Sequence, residues 1–288
     1  MTIRNILAIM TGSDVDGSVA ATAFLAAGRF GAHVAGLHVR PDVVEDLPYV
    51  DEGMSQSAIA REFEARRQRQ EGAESRAREQ FEAAAAEAGA GFAEAPGEGA
   101  GSTASWQVET GRTLEVVAQK ARVFDLTVAS SHAQAAGVSG RAIVECVVFE
   151  TGRPALLAPA EVAASIGNRV FVAWNRSAQS ARAVAGAMPF LAAASRVDIA
   201  YIETGAKAGP PPEELQASLA WHGVEATVKR MPPGGASVAE LLAATAADSG
   251  ADLVVMGAYS HSRFREMVLG GVTNDILEHT TLPVLMAH

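Results

Sequence analysis

Short apolar runs of strand length alternate with longer helical patterns over the whole chain. The runs are apolar at consecutive positions rather than at every second one, which is typical of strands buried on both faces. Strands and helices that alternate in this way predict an α/β fold, with a mostly parallel sheet covered by helices on both faces. Each half of the chain reads β-α-β-α-β-α-β-α-β, so we predict two repeated open sheets of five strands each.

The two halves match in the order and spacing of their strands, which indicates an internal repeat. The paired runs are 5–11 with 169–175, 33–39 with 196–202, 105–109 with 226–230, 124–130 with 251–257, and 152–158 with 281–287. An Asp precedes the fourth run in both halves, and a Pro lies near the start of the fifth, where its missing N–H is tolerated. We therefore predict two domains of one fold, residues 1–160 and 167–288.

Each predicted domain ends in a strand, 155–158 or 283–286, that would leave unpaired backbone groups if it formed an edge. Antiparallel pairing of these two strands across a pseudo-twofold axis removes both edges. The sequence thus predicts an internal pseudo-dimer, and it leaves a further homodimer open. The first half also carries a long polar helical stretch, of which 61–82 is interpreted as a solvated face with i,i+4 ion pairs.

Composition narrows the class of protein. Of 288 residues, 49% are hydrophobic and 19% charged, and no apolar run reaches the roughly 18 residues of a membrane span, so no membrane partner is expected. The formal net charge of −10 disfavours nucleic acid as a partner. The single cysteine, Cys146, excludes an internal disulfide, and the N-terminal residues show no export signal, so we expect a cytoplasmic protein.

The candidate ligand site lies where strand order reverses, because ligands of open parallel sheets bind beyond the carboxyl ends of the strands at that point. For this element order the reversal falls between strands 1 and 4. In the second half these strands end at 174–177 and 256–260, and the strand 4 loop continues to Gly270 and Gly271, directly before a helical pattern. Backbone N–H groups at such a glycine-rich helix start form an anion site of phosphate size.

These residues resemble the universal stress protein family in its two-domain form. In that family the pattern after strand 4 is G-x2-G-x9-G-(S/T), which holds ribose and phosphates, with an Asp at the end of strand 1. The present chain has Gly257-x2-Ser260-x9-Gly270-Gly271, so the spacing matches while two residue types differ. Asn175 stands where the family has the Asp, and it keeps an acceptor for a ribose hydroxyl.

The resemblance implies that the second half binds an adenine nucleotide, ATP, accompanied by Mg2+, without fast turnover. No catalytic base and no separate metal site are predicted, so catalysis is not expected. The candidate binding residues are Asn175, Ile202, Met256, Gly257, Ser260, Gly270, Gly271, Val272 and Thr273.

The first half departs further from the family pattern, so we expect its site to be degenerate. Its strand 4 ends in Ala129, the loop that follows is shorter, and Gly140 alone precedes the helix.

Two alternatives to nucleotide binding stay open. In the first alternative, the protein is a nucleotide-free signalling or scaffold module. The glycines of the second half then serve only turns and the start of a helix, and Asp275, in the first helical turn, fills the anion site. A third hypothesis places a small apolar ligand in the first half.

Overall fold

The computed structural model describes residues 2–41, 56–97, 101–135, 137–203, 209–232, 237–258 and 271–288. The elements of the first half are β1 (Asn5–Met10), α1 (Asp16–Phe30), β2 (His33–Arg40), α2 (Gln56–Glu87), β3 (Gly91–Phe92), β4 (Thr103–Thr110), α3 (Thr113–Ala121), β5 (Leu126–Ala129), β6 (Gln134–Ala135), β7 (Val138–Ser139), α4 (Gly140–Glu150) and β8 (Ala155–Leu157). Those of the second half are β9 (Arg169–Ala173), α5 (Ala178–Ala193), β10 (Arg196–Ile202), α6 (Pro212–Ala220), β11 (Ala226–Met231), α7 (Val238–Asp248), β12 (Leu253–Gly257), α8 (Gly271–His279) and β13 (Val284–Ala287).

Strand pairing confirms the predicted α/β fold and the repeat of its topology. Within the described residues the main sheet has the order β11-β10-β9-β12-β13-β8-β5-β1-β2-β4-β3, and all its neighbours are parallel except β8 and β13. Each half therefore places its five principal strands in the order 3-2-1-4-5. The first half differs from the prediction in two places: the short strand β3 extends its edge, and β6 and β7 form a separate two-stranded sheet.

Helices cover both faces of the sheet because successive side chains of each strand point to opposite faces. In β1, for example, Ile6 and Ala8 belong to one buried cluster, while Leu7 and Ile9 belong to the other. The first cluster includes residues of α1, α2, α5 and α6, and the second includes residues of α3, α4, α7 and α8. Strands that are apolar at consecutive positions thus bury both of their faces, as the sequence pattern predicts.

The Asp that precedes the fourth principal strand has the same role in both halves. Asp125 accepts hydrogen bonds from the backbone N–H groups of Arg4 (2.8 Å) and Asn5 (3.2 Å) at the start of β1. Asp252 accepts them from Asn168 (3.1 Å) and Arg169 (2.8 Å) at the start of β9. Each carboxylate satisfies backbone donors at the amino end of the sheet, which joins the fourth strand to the first.

The two halves meet at the antiparallel pair β8 and β13. Leu156 lies opposite Leu285, and both side chains are fully buried. Helices α1 and α5 extend this seam on one face, where the rings of Phe30 and Phe190 pack edge to face with centroids 5.0 Å apart. The predicted antiparallel contact between the two terminal strands is present.

Helix α2 is 32 residues long and has one buried side and one charged side. Phe81 is fully buried against Phe24 and Trp106, with ring centroids 5.3 and 5.5 Å apart. The ion pairs expected for a solvated face are present on the other side, for example Arg78 with Glu82 at 2.7 Å.

We propose that residues 1–160 and 167–288 are domains that depend on their common seam. Each fragment expressed separately would expose an unpaired strand edge and its own seam leucine, and burial of one leucine is worth about 1.5–3 kcal/mol. We expect each fragment to self-associate in size-exclusion chromatography, or to unfold at a lower urea concentration than the whole chain. Two monomeric fragments as stable as the whole chain would contradict this proposal.

Candidate functional site

The reversal of strand order in the second half lies between β9 and β12, as predicted. Ala173 is paired with Met256 in the parallel register of these strands, with β10 and β11 beyond β9 and β13 beyond β12. The segments that leave the carboxyl ends of β9 and β12 therefore diverge to either side of a single crevice.

Asn175 is engaged by its own loop at the end of β9. Its Oδ1 accepts hydrogen bonds from the backbone N–H of Ser177 (3.2 Å) and from the Ser177 hydroxyl (2.6 Å). The Ser177 Oγ in turn accepts from the backbone N–H of Ser180 (3.1 Å) and caps α5. Because a carbonyl oxygen has two lone pairs, the acceptor that we expected to meet a ribose hydroxyl already has two partners.

Arg176 adopts a left-handed backbone conformation in this loop, with φ of 68°. Such a conformation costs a non-glycine residue about 1–2 kcal/mol, and strain of this kind concentrates at functional sites. Its Nε donates to the carbonyl oxygens of Gly209 (2.9 Å) and Pro210 (3.2 Å), and its guanidinium lies 5.7 Å from the ring centre of Tyr201. Arg176 is not among the predicted site residues, because nothing in an N-R-S sequence signals a positive φ.

Gly257 lets the first turn of α5 lie directly on the end of β12. A Cβ at this position would stand 2.7 Å from the backbone carbon of Gln179 and would also collide with the backbone nitrogen of Ser180. The glycine is therefore required by packing, whatever it contributes to a ligand. Two neighbouring candidates belong to the core. Met256 is buried in the cluster on the α7 and α8 face of the sheet, and Ile202, at the end of β10, is half-buried against that cluster.

The remaining candidates belong to the segment that leads into α8. Ser260 and Gly270 lie outside the described residues. Gly271, Val272 and Thr273 are the first three residues of α8, and the side chain of Thr273 is buried. The first turn of α8 contains no acidic residue, since Asp275 is the fifth residue of the helix. The prediction that Asp275 lies in the first helical turn is therefore wrong.

The corresponding helix of the first half has a different start. The backbone N–H of Gly140 donates to the carbonyl oxygen of Ala133 (2.7 Å), and the Ser139 hydroxyl accepts from the backbone N–H of Ala142 (3.2 Å). A Cβ on Gly140 would stand 2.6 Å from the nitrogen of Ala133 and would also collide with the carbonyl oxygen of Ser130. The short loop thus folds onto the start of α4, and two donors there, the backbone N–H groups of Gly140 and Ala142, already have acceptors.

The acid at the end of strand 1 in the first half is used within its own loop. Asp16 is fully buried and accepts hydrogen bonds from the backbone N–H groups of Thr11 (2.8 Å) and Gly12 (2.7 Å) and from the Thr11 hydroxyl (2.9 Å). Desolvation raises the pKa of this carboxyl above its usual value, against the opposing effect of the hydrogen bonds. Asp16 shapes the turn between β1 and α1 and is closed to a ligand.

Metal binding, membrane insertion and a reactive cysteine were also considered for the described part of the chain. It contains no cluster of His, Cys, Asp and Glu side chains that would hold a metal ion, and no helix with the length and apolarity of a membrane span. Burial raises the pKa of the Cys146 thiol to about 11, so at neutral pH it is a packed thiol and a poor nucleophile.

Comparison with known proteins identifies relatives of this fold. The model of the universal stress protein family matches residues 168–288. A universal stress protein from Archaeoglobus fulgidus shares the fold over 99% of this chain and 96% of its own, with 15% identity and a TM-score of 0.65. A protein of unknown function from Pseudomonas aeruginosa does so over 99% and 92%, with 14% identity and a TM-score of 0.53. A universal stress protein from Synechocystis is 47% identical over 38 residues, a match that spans 13% of this chain and 13% of that relative.

Replacement of Gly257 by Ala tests whether packing alone requires this glycine. We expect Gly257→Ala to lower the free energy of unfolding by about 1–3 kcal/mol, since the added methyl group overlaps the α5 backbone. Gly28→Ala is the matched control: Gly28 lies in α1 with nothing within 4 Å of an added Cβ, so alanine should stabilise the protein by about 0.5–1 kcal/mol. Urea unfolding of both ligand-free variants measures the difference, and equal stabilities would contradict the packing role.

Proposed function

We propose that the second half of the chain, which matches the model of the universal stress protein family over residues 168–288, binds an adenine nucleotide, ATP, at the crevice between β9 and β12. Mg2+ would accompany the phosphates. The proposal rests on the family's motif spacing in this half and on the chemistry that the crevice offers. In this proposal the protein holds the nucleotide without fast turnover.

The observation that carries the proposal is the position of α8. This helix begins at Gly271, follows the strand that borders the point of reversal, and has no acidic side chain in its first turn. A helix start leaves backbone donors without partners inside the helix, and its dipole favours an anion there by about 0.3–1 kcal/mol. The equivalent helix α4 uses its Gly140 donor on Ala133. For this reason the proposal places the phosphates at the start of α8 and not at that of α4.

We propose slow turnover because the described side chains that follow β9 and β10 are poorly suited to catalysis. Phosphoryl transfer normally needs a base or a group that orients water, together with a metal ion and a cationic clamp. Asn175 and Ser177, which follow β9, are poor bases and are hydrogen-bonded to one another. Glu203, which follows β10, is paired with Arg230 at 3.1 Å. These groups suit binding better than catalysis.

A second candidate function is a nucleotide-free scaffold that acts through contacts with partner proteins. Two observations favour it: the Asn175 Oδ1 is already satisfied within its loop, and Gly257 is required by packing alone. The purified protein distinguishes the two functions. Stoichiometric ATP released on denaturation, identified by mass spectrometry, would support binding, whereas a protein that neither carries ATP nor binds added ATP would support the scaffold.

Gly270→Asp tests the anion site directly. A carboxylate next to the proposed phosphate position should weaken ATP binding at least about tenfold, which corresponds to about 1.4 kcal/mol. Gly28→Asp is the matched control, because it makes the same change on an exposed position of α1 with open space around it. Gly140→Asp is unsuitable, since its side chain would collide with the loop backbone. Calorimetric titration with Mg-ATP measures the affinities, and equal losses in the two variants would refute the proposed site.

Hydrolysis by the wild-type protein provides a separate check. We expect ATP turnover far below the ordinary enzyme rate of about 1 per second, even with saturating Mg2+, because positioning groups alone give affinity without rate. Release of phosphate under single-turnover conditions measures it. A rate at or above that value would show that the sequence contains a base that we have not identified, and His261 would be the first residue to replace.

A further inference from the structure

The outer edge of the second half is the strand β11, which has no strand on its outer side among the described residues. The fifth principal strands of the two halves are already paired with each other in the seam. We propose that β11 pairs antiparallel with β11 of a second copy of this chain, about a twofold axis at Thr227. The proposal does not depend on nucleotide binding by the second half.

The backbone of β11 offers hydrogen-bonding groups to such a strand. The Met231 carbonyl oxygen accepts from the backbone N–H of Glu203 at 3.0 Å, so the backbone groups of Met231 face β10. Because this direction alternates along a strand, the backbone groups of Ala226 and Val228 face outward. The Ala226 carbonyl oxygen accepts from the Gln216 side chain at 2.6 Å, which agrees with this direction and leaves a second lone pair. An edge of this kind is a template for another strand.

The sequence around Thr227 is complementary to its own reverse order. Residues 225–229 read Glu-Ala-Thr-Val-Lys. In an antiparallel pair centred on Thr227, Glu225 lies opposite Lys229 of the partner subunit. On the other face of the sheet, Ala226 lies opposite Val228 of the partner subunit. Ion pairs and apolar pairs at directly opposite positions stabilise antiparallel strands, and the twofold axis repeats each of them.

Other registers of the same two strands lack this match. Side chains that lie opposite each other share one face of the sheet, so the axis must pass through a residue. An axis at Lys229 would place the two lysines opposite each other, which destabilises a sheet. An axis at Val228 would place Lys229 opposite Thr227, and an axis at Ala226 would place Glu225 opposite Thr227. The axis at Thr227 is therefore the register that the charges favour.

The charges near this edge leave room for a further carboxylate. Asp198 is buried, and one of its oxygens is paired with both Arg196 and Lys229, each at 3.1 Å. One acid thus faces two cations, and the Lys229 side chain remains 27% exposed. Glu225, immediately before β11, is exposed and forms no ion pair with another described residue. Glu225 of the partner subunit would add the second acid that these two cations lack.

The helix beside β11 enlarges the proposed contact. Helix α6 packs on one face of β11, so the twofold axis would place the α6 helices of the two copies side by side on that face. Trp221, at the end of α6, is 91% exposed, whereas tryptophan is usually well buried and is enriched at interfaces between proteins. One strand and one short helix form a small interface, so we expect a weak dimer.

The opposite edge of the sheet lacks these features. The short strand β3 pairs with the first two residues of β4. In the rest of β4, the one charged residue is Glu109, and it is paired with Lys120 of α3. Antiparallel pairing of two β4 strands would therefore form no ion pair across the edge, and β11 is the edge that suits a second copy.

Sedimentation velocity of the whole chain tests the proposal. We expect a reversible dimer with a Kd on the order of 10 μM, so its fraction should rise as the protein concentration increases from about 1 to about 500 μM. Added salt should weaken the dimer, because its ion pairs lie at the surface. A chain that stays monomeric over this whole range would overturn the proposal.

Two variants test the register. Glu225→Lys places a lysine opposite Lys229 of the partner subunit and should weaken the dimer at least about tenfold. Glu87→Lys is the matched control, since it makes the same change at an exposed residue at the end of α2. Val228→Pro removes an outward N–H that β10 does not use, so the chain should keep its circular dichroism while the dimer is lost. Equal effects of the two lysine variants, or a dimer that survives both Glu225→Lys and Val228→Pro, would refute the proposed contact.

Disulfide trapping locates the axis. The backbone groups of Thr227 face β10, so the two Thr227 residues form a non-hydrogen-bonded pair with Cα atoms about 4.5 Å apart, which a disulfide can bridge. Thr227→Cys should form a covalent dimer under mild oxidation, seen on a non-reducing gel. Thr110→Cys, exposed on β4, is the matched control and should not, and Cys146 is buried in both variants. Equal cross-linking of the two variants, or none with Thr227→Cys, would contradict the proposed axis.

Discussion

The antiparallel pair of β8 and β13 determines how the rest of the molecule is arranged. Each half is a parallel sheet, and this one pair joins them into a continuous sheet in which strand direction reverses at the seam. The strands of the two halves consequently run in opposite directions, and their carboxyl ends lie on opposite sides of the molecule. The crevice of the second half therefore opens at the edge of the sheet opposite to the carboxyl ends of β1, β2 and β4. The seam also brings α8 against the first half, where the Ser131 hydroxyl donates to the carbonyl oxygen of Leu277 and Arg141 lies 3.6 Å from Glu278.

The fold was predictable because several independent features of the sequence indicate the same topology. Consecutive apolar positions, alternation with helices and the recurrence of the same order in both halves all indicate one topology. Asp125 and Asp252 illustrate why the repeat could be recognised although the two halves share few identical residues. A carboxylate before the fourth strand is needed to satisfy the donors at the start of the first strand, so the chemistry repeats where most of the sequence does not.

The site was less predictable because its residues have local partners that no pattern reveals. Asn175 matches a family position by spacing, yet its oxygen is satisfied by Ser177 two residues later. Gly257 fits a ligand motif, but the backbone of Gln179 would exclude any side chain there. The arginines of α2 were visible in the sequence as part of a charged helix. Which of them face solvent depends on how that helix lies against the sheet, where its Phe81 is buried.

The connection after the fourth principal strand differs in length between the two halves. After β5 the first half has ten residues before its helix, from Ser130 to Ser139, and this short connection turns back so that Ala133 accepts from Gly140. After β12 the second half has thirteen, from Ala258 to Gly270. A backbone N–H that the loop already uses is a donor that an anion at the same helix start would have to share or displace, so the shorter connection weakens the start of α4 as a phosphate site.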